Sequence, residues 1–229
     1  MIVDNEMEII QLIKLYLTRE GFNVVWTTDS TKAAELARQE KPDLILLDVV
    51  MPNLNGIEVC EQIRKDSDVQ IVFISCKGED MDKVLALSIG GDDYITKPFS
   101  PAELVARVKA HLRRQRVSNS DQTNSFTNGN TMTVGDISLN LSSHTVAIRG
   151  EEIHLTAKEF DLLVLFCKYP NRVFTTKQLY ENLWYDCGLE SDGRTVMVHI
   201  SNLRKKIDAV LGDQSPIRTV RGVGYKLSL

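Results

Sequence analysis

The stretch Leu44-Ile45-Leu46-Leu47-Asp48, with Met51-Pro52 and Gly56 just beyond it, decides the fold. Four consecutive aliphatics read as a strand buried on both faces, as strands of parallel sheets are. The carboxylate that ends the run is then held at the strand's C-terminal lip, where open α/β sheets place their ligand sites. Pro52 and Gly56 shape the turn that follows. Three more polar groups end apolar runs: Asp4 after Ile2-Val3, Ser75 after Ile71-Val72-Phe73-Ile74, and Lys97 after Tyr94-Ile95-Thr96 and before Pro98. Taken singly, an Asp after a strand is most often a helix cap or turn former, and a Lys-Pro pair a plain loop. Four such positions in order along one βα ladder are a set. Acids, a hydroxyl and an ammonium at neighbouring strand ends can surround one phosphoryl group and one hard cation.

The apolar runs of the first half lie at 2–3, 24–26, 44–47, 71–74 and 94–96. Amphipathic patterns between them predict helices near 6–20, 31–40, 55–65, 81–90 and 100–114. Ile9, Ile10, Ile13, Tyr16 and Leu17 give the first its helical spacing. Strand–helix alternation with short loops predicts a doubly wound, five-stranded parallel sheet. Only Met1 to Val3 precede Asp4, which predicts a stunted first strand and points to an unusual start or a few lost residues.

The chain has 229 residues, 43% of them hydrophobic, enough for two ordinary domains with real cores. No apolar stretch reaches membrane-spanning length, and Met1-Ile2-Val3-Asp4 is no signal peptide, so a cytoplasmic protein without membrane association is expected. Cys60, Cys76, Cys167 and Cys187 have no metal-ligand spacing and read as reduced thiols, three of them core-packed. Residues 1–114 carry 19 acidic and 14 basic side chains. Residues 191–226 carry 7 basic and 3 acidic ones, so the positive excess suited to a polyanion lies near the C-terminus.

Residues 115–131 are polar and almost free of aliphatics, which predicts a flexible linker between domains at 1–114 and 132–229. The second domain opens with strand-like Thr133 to Leu139 and His144 to Arg149, and Gly150-Glu151 reads as a turn. Thr156-Ala157-Lys158-Glu159 is a capping box leading into an apolar helix. Thr176 is expected to cap the next helix, with Leu179, Leu183 and Trp184 facing inward. Gly193-Arg194 opens a third, to about Leu211. Ile217 to Leu227 reads as a hairpin turning on Gly222 and Gly224.

Val3-Asp4, Leu47-Asp48, Met51-Pro52, Gly56, Ser75, Gly91-Asp92-Asp93-Tyr94-Ile95 and Thr96-Lys97-Pro98-Phe99 together resemble the receiver domain of bacterial two-component response regulators. Leu155-Thr156, Glu159-Phe160, Gln178-Leu179, Arg194 to Ile200 with Leu203 to Lys206, and Thr219 to Tyr225 resemble the winged-helix domain of the OmpR/PhoB type. The resemblance implies an α/β receiver of (βα)5 flavodoxin-like fold followed by a winged-helix α+β DNA-binding domain, and a transcription regulator rather than an enzyme. It implies Asp48 as phosphoacceptor and Mg²⁺ as cofactor, bound by Asp4, Asn5, Asp48 and the carbonyl of Val50. Lys97 and Ser75 would bind the phosphoryl oxygens, and Tyr94 would be the second switch element. Implied partners are a sensor histidine kinase, double-stranded promoter DNA, RNA polymerase and, on activation, a second copy. The dimer would pair Lys83 with Glu103, and Asp92 or Asp93 with Arg107.

Where the family usually has two adjacent acids, this chain has Asp4-Asn5. An amide oxygen can coordinate but adds no charge, so weaker Mg²⁺ binding with retained chemistry is expected, against the alternative of a phosphorylation-independent DNA binder. A phosphohydrolase with an aspartyl nucleophile would resemble its relatives in a second Asp two residues on, where Val50 stands. In the helix from Arg194, the stripe Val196, Ile200, Leu203 and Ile207 is assigned to the core. Arg194, Thr195, Val198, Ser201, Asn202 and Lys205 are left for DNA, with Asn and Arg able to read base edges. His199, Arg204 and Lys206 read as phosphate contacts or packing groups, and Thr219 and Arg221 belong to the wing, Arg221 reaching the minor groove. Asn202 and Met197 stand where relatives often carry Arg and Asp, so no base preference transfers.

Overall fold

The computed structural model describes residues 1–76, 80–117, 131–184, 193–212 and 215–228, leaving aside the side chains of 80–83 and 113–117. Two compact units, Met1–Leu112 and Arg113–Leu229, are described in turn.

The first unit runs β1 (Ile2–Val3), α1 (Met7–Arg19), β2 (Trp26–Thr27), a 3-10 turn (Ser30–Lys32), α2 (Ala33–Glu40), β3 (Leu44–Asp48), α3 (Gly56–Arg64), β4 (Gln70–Cys76), α4 (Asp80–Ser88), β5 (Asp93–Lys97) and α5 (Pro101–Val117). The five strands are parallel in the order β2-β1-β3-β4-β5. Alternation along β3 divides the core between the sheet's two faces. Leu44 and Leu46 join Ile10, Ile13, Leu104 and Val108 on one face, while Ile45 and Leu47 join Val59, Cys60 and Ile63 on the other.

β1 is as short as expected. β2 starts at Trp26 rather than at residue 24, because its one partner offers only Ile2 and Val3 for pairing. α3 is opened by a capping box in which the Asn55 side chain accepts from Glu58 N at 2.9 Å and Glu58 Oε2 from Asn55 N at 2.8 Å. α5 continues through Val117, past the expected start of the linker at 115; residues 118–130 of that linker lie outside the described residues.

The second unit contains β6 (Thr131–Val134), β7 (Ile137–Asn140), β8 (Thr145–Ile148), β9 (Glu151–Ile153), α6 (Ala157–Lys168), β10 (Phe174–Thr175), α7 (Thr176–Trp184), α8 (Gly193–Leu211), β11 (Ile217–Val220) and β12 (Gly224–Leu227). β6 to β9 form an antiparallel meander, so Thr133 to Leu139 is not one strand but two, broken at Gly135-Asp136. Arg149-Gly150 makes the next turn, both residues at positive φ, and Glu151 already belongs to β9. A second sheet, β10-β12-β11, carries the expected hairpin. Its turn is Arg221–Val223, with Gly222 at φ 73°.

The Thr156 capping box forms. The cap of α7 is Thr175 rather than Thr176: Thr175 Oγ1 accepts from Gln178 N, and Gln178 Oε1 accepts from Thr175 N. Phe160, Phe166, Phe174, Leu183, Ile200 and Leu203 centre the core of this unit. Cys60 and Cys167 are buried, and burial pushes both thiols up to about 12; Cys76 is exposed, and Cys187 lies outside the described residues.

Candidate functional site

The order of the first sheet reverses between β1 and β3, and Asp4 and Asp48 stand at the C-terminal lips of those two strands. Lys97, the last residue of β5, joins them. Its Nζ lies 2.8 Å from Asp4 Oδ2, 2.8 Å from Asp48 Oδ2 and 3.3 Å from Glu6 Oε1. The second oxygen of each buried carboxylate is held by backbone: Asp4 Oδ1 accepts from Glu6 N at 2.8 Å, and Asp48 Oδ1 from Val50 N at 3.1 Å. Gly56 closes in from below, where a Cβ would fall on the Asp48 carbonyl oxygen, so only glycine lets α3 start there. Ser30 ties the following loop, donating to Pro52 O and accepting from Leu54 N.

Three carboxylates thus share one ammonium. Burial pushes the Asp4 carboxyl above its ordinary range, with the Lys97 and Glu6 hydrogen bonds pulling the other way. Burial also disfavours the Lys97 charge, but the hydrogen bonds to Asp4 and Asp48 outweigh it and raise its pKa. One carboxylate oxygen from each of Asp4, Glu6 and Asp48 lies within 4.8 Å of the others, a hard-oxygen donor set that fits a small divalent cation.

Glu6 was missed in the sequence reading, which stopped at the Asp4-Asn5 pair. The chain leaving β1 is still extended at Glu6, with φ −93° and ψ 106°. Residues 4 and 6 therefore turn to one side, where both reach Lys97 although Glu6, like Asn5, is exposed. Ser75 is buried beside the site, paired in register with Thr96, one residue before Lys97. Val50 is exposed. Tyr94 is already buried, packed among core residues such as Phe73 and Ile71.

The residues assigned to a dimer face are placed differently from one another. Asp92 is not a surface group: it is fully buried, with Oδ2 accepting from Arg64 Nη2 and from Ile71 N. Asp93 is also buried, accepting from Arg107 Nη1 at 3.0 Å, with His111 Nε2 3.3 Å away. Arg107 Nε reaches Glu103 on the same helix at 3.3 Å. The Lys83 side chain lies outside the described residues.

In α8 the expected core stripe is fully inward. Thr195, Val198, His199 and Asn202 are buried too, Asn202 at 9% exposure. Arg194, Met197, Ser201 and Lys205 are exposed. Arg204 ties α8 to the hairpin, donating to Ile217 O at 3.0 Å and Thr219 Oγ1 at 2.9 Å, with its guanidinium 5.5 Å from the centre of the Tyr225 ring. Lys206 pairs at 2.6 Å with Glu159, which is almost fully buried. Arg221 stands exposed in the hairpin turn.

Comparison with known proteins accounts for both halves. Residues 1–109 match the response regulator receiver domain, and residues 150–227 match the C-terminal domain of transcriptional regulatory proteins. The DNA-binding response regulator MtrA of Mycobacterium tuberculosis is 40% identical over 226 residues, covering 99% of this chain and 95% of the relative. The alkaline phosphatase synthesis transcriptional regulatory protein PhoP of Bacillus subtilis is 41% identical over 231 residues, covering 99% and 95%. Among solved structures, a cysteine-to-serine mutant of RitR superposes with a TM-score of 0.79 at 29% identity, covering 99% of this chain and 96% of that one. The chain belongs to the OmpR/PhoB-type response regulators, two-component transcription regulators that join a receiver to a DNA-binding domain.

Proposed function

We propose that Asp48 is the phosphoacceptor and that its phosphorylation by a sensor histidine kinase controls promoter binding. The observation that carries this reading is the Lys97 ammonium bonded at 2.8 Å to both buried carboxylates at the sheet's switch point. A carboxylate oxygen of Asp48 attacks the phosphorus of the kinase's phosphohistidine. The phosphorus–nitrogen bond breaks, the histidine keeps the electron pair, and an acyl phosphate forms. Val50 N holds the other Asp48 oxygen and so fixes the attacking one. Lys97 then follows the new charge, turning from Asp4 to a phosphoryl oxygen, and Ser75 donates its hydroxyl to another.

Asp4, Glu6 and Asp48 would hold Mg²⁺, with the Val50 carbonyl and Asn5 as neutral donors; when bound, the cation neutralises charge developing on the phosphoryl oxygens. Glu6 restores the third charge that Asn5 lacks, which favours retained phosphorylation over a phosphorylation-independent regulator. On this reading Glu103, Asp93 and Arg107 belong to the face through which the activated receiver dimerises. The second unit binds duplex DNA with α8 in the major groove and Arg221 of the wing in the minor groove, and it engages RNA polymerase at promoters. A cytoplasmic location accords with this, and no helix among the described residues is long and apolar enough to cross a membrane. Acetyl phosphate with Mg²⁺ should add one phosphoryl group per chain by intact mass, and Asp48→Ala should abolish it. Undiminished labelling of that variant would remove Asp48 from the role.

A further inference from the structure

From Arg194 to Lys205 the exposed residues of α8 recur at helical spacing: Arg194, Met197, Ser201 and Lys205. Three of the four are polar or charged, as a helix face meeting a polyanion requires. The fourth is a methionine with 48% of its surface exposed, and the one large apolar side chain so exposed among the described residues of α8. It sits in the second turn of α8, outside the core built on Val196, Ile200, Leu203 and Ile207. Recognition helices place their base-contacting residues toward this end.

A thioether has no strong donor or acceptor, so it cannot read the hydrogen-bonding edges of guanine, adenine or cytosine. It packs well against small apolar groups, because it is flexible and polarisable. On the floor of the major groove the apolar group is the 5-methyl of thymine. Arg194, three residues before, and Ser201, four residues after, can bond neighbouring base edges or phosphates and so hold Met197 over a single pair.

We infer that Met197 is a specificity-determining residue that reads one thymine of each half-site through its 5-methyl group. The inference rests on the reading of α8 as the helix that enters the groove. Asn202, buried on the other side of the helix, is then not the primary base reader.

Duplexes selected by the full-length phosphorylated chain from a random pool supply the probe. Each thymine of a selected duplex is replaced in turn by deoxyuridine, which removes the methyl and leaves every hydrogen-bonding group in place. Affinities are measured by fluorescence anisotropy for the wild type, Met197→Ala, Arg194→Ala and Lys205→Ala. Alanine at an exposed helical position preserves the helix. At one thymine per half-site, deoxyuridine should weaken wild-type binding roughly fourfold, the value of burying about one methyl group, and leave Met197→Ala unchanged. If no deoxyuridine weakens the wild type, or if it weakens both proteins alike, the methyl reading is overturned. In that case a salt-dependent loss in Arg194→Ala or Lys205→Ala still keeps α8 in the groove. If those two variants bind every duplex as the wild type does, the α8 reading fails and takes the Met197 inference with it.

Discussion

Replacing Lys97 with methionine leaves two buried carboxylates and the nearby Glu6 without their shared cation. Each of the 2.8 Å pairs with Asp4 and Asp48 corresponds to about 6 kcal/mol of gross attraction at an effective dielectric near 20, before desolvation is subtracted. What the experiment measures is the residual penalty of unpaired charge, roughly 3–5 kcal/mol for a fully buried pair. Asp4 and Asp48 have almost no exposed surface, but the half-exposed Glu6 beside them marks the edge of solvent, so about 2–4 kcal/mol is expected. The loss belongs to the first unit alone. Hydrogen exchange of peptides covering Leu44–Asp48, followed over a urea series in EDTA, reads it without interference from the second unit. Mg²⁺ should restore part of the loss in Lys97→Met, and the effect of Mg²⁺ should be larger than in the wild type, where the ammonium competes for the same oxygens. Adding Asp4→Asn to Lys97→Met should also recover stability. A loss below about 1 kcal/mol in EDTA, or equal responses of variant and wild type to Mg²⁺, would refute the account of Lys97 as the counter-ion of this site.

Glu6→Gln should weaken Mg²⁺ binding on the order of tenfold in a tryptophan fluorescence titration, and Asn5→Asp should tighten it; a wild-type titration for Glu6→Gln places Glu6 outside the cation's reach. Burial opposes the charge of Asp93, yet His111 and Arg107 hold its carboxyl well below the usual range, so its stabilisation is present above the unfolded value near 4 and lost as pH falls through the folded one. The stability gap between wild type and Asp93→Asn should therefore shrink as the pH falls below about 4; a gap that widens there would reverse the sign. Arg204→Ala should lower DNA affinity by loosening the wing, whereas Lys206→Ala should cost about 1–3 kcal/mol of stability in the second unit by leaving the buried Glu159 carboxylate with its capping-box bond from Thr156 N but without its cation. If Lys206→Ala instead flattens the salt dependence of DNA binding by a full unit at unchanged stability, Lys206 contacts phosphate. Arg107→Glu should suppress phosphorylation-dependent dimers in sedimentation; undiminished dimers would remove Arg107 from the interface.

Much of the receiver was legible because its signals are local. The Leu44–Leu47 run is buried on both sheet faces, and three of the polar residues that end the runs, Asp4, Asp48 and Lys97, meet at the strands' C-terminal lips. What the sequence hid depends on partners far along the chain. β2 is cut to two residues by its neighbour. Asp92, in an acidic doublet that reads as surface, is drawn inside by Arg64, 28 residues earlier, whose guanidinium also bonds Gly90 O and Val69 O. α8 buries more than the one stripe its periodicity displays, which turns Asn202 inward and leaves Met197 out. Glu6 was hidden because the helical pattern was expected from residue 6; the segment leaving β1 is still extended there, which carries residues 4 and 6 to one side.

The proposed activation must work as an exchange of partners rather than as a gain of new ones. Arg107 is already bonded to Asp93 and Glu103 within its own chain, so pairing with a second copy gives up one charge-assisted bond to make another. Because Asp93 is buried, giving up its bond to Arg107 is costly, and an exchange of one such bond for another has too small a net value to hold a dimer by itself. The decisive term has to come from the phosphoryl site. β5 links the two: Asp93 stands at one end and Lys97 at the other, with Tyr94 between them in the core. When Lys97 leaves Asp4 for a phosphoryl oxygen, the strand that carries it also carries Asp93, the acid that holds Arg107 at home. On this proposal, a receiver whose resting ion pairs are satisfied at both ends of one strand would stay monomeric until the single carboxylate charge of Asp48 is replaced by the doubly charged acyl phosphate, and the shift in population would be set by the difference between the two sets of pairs.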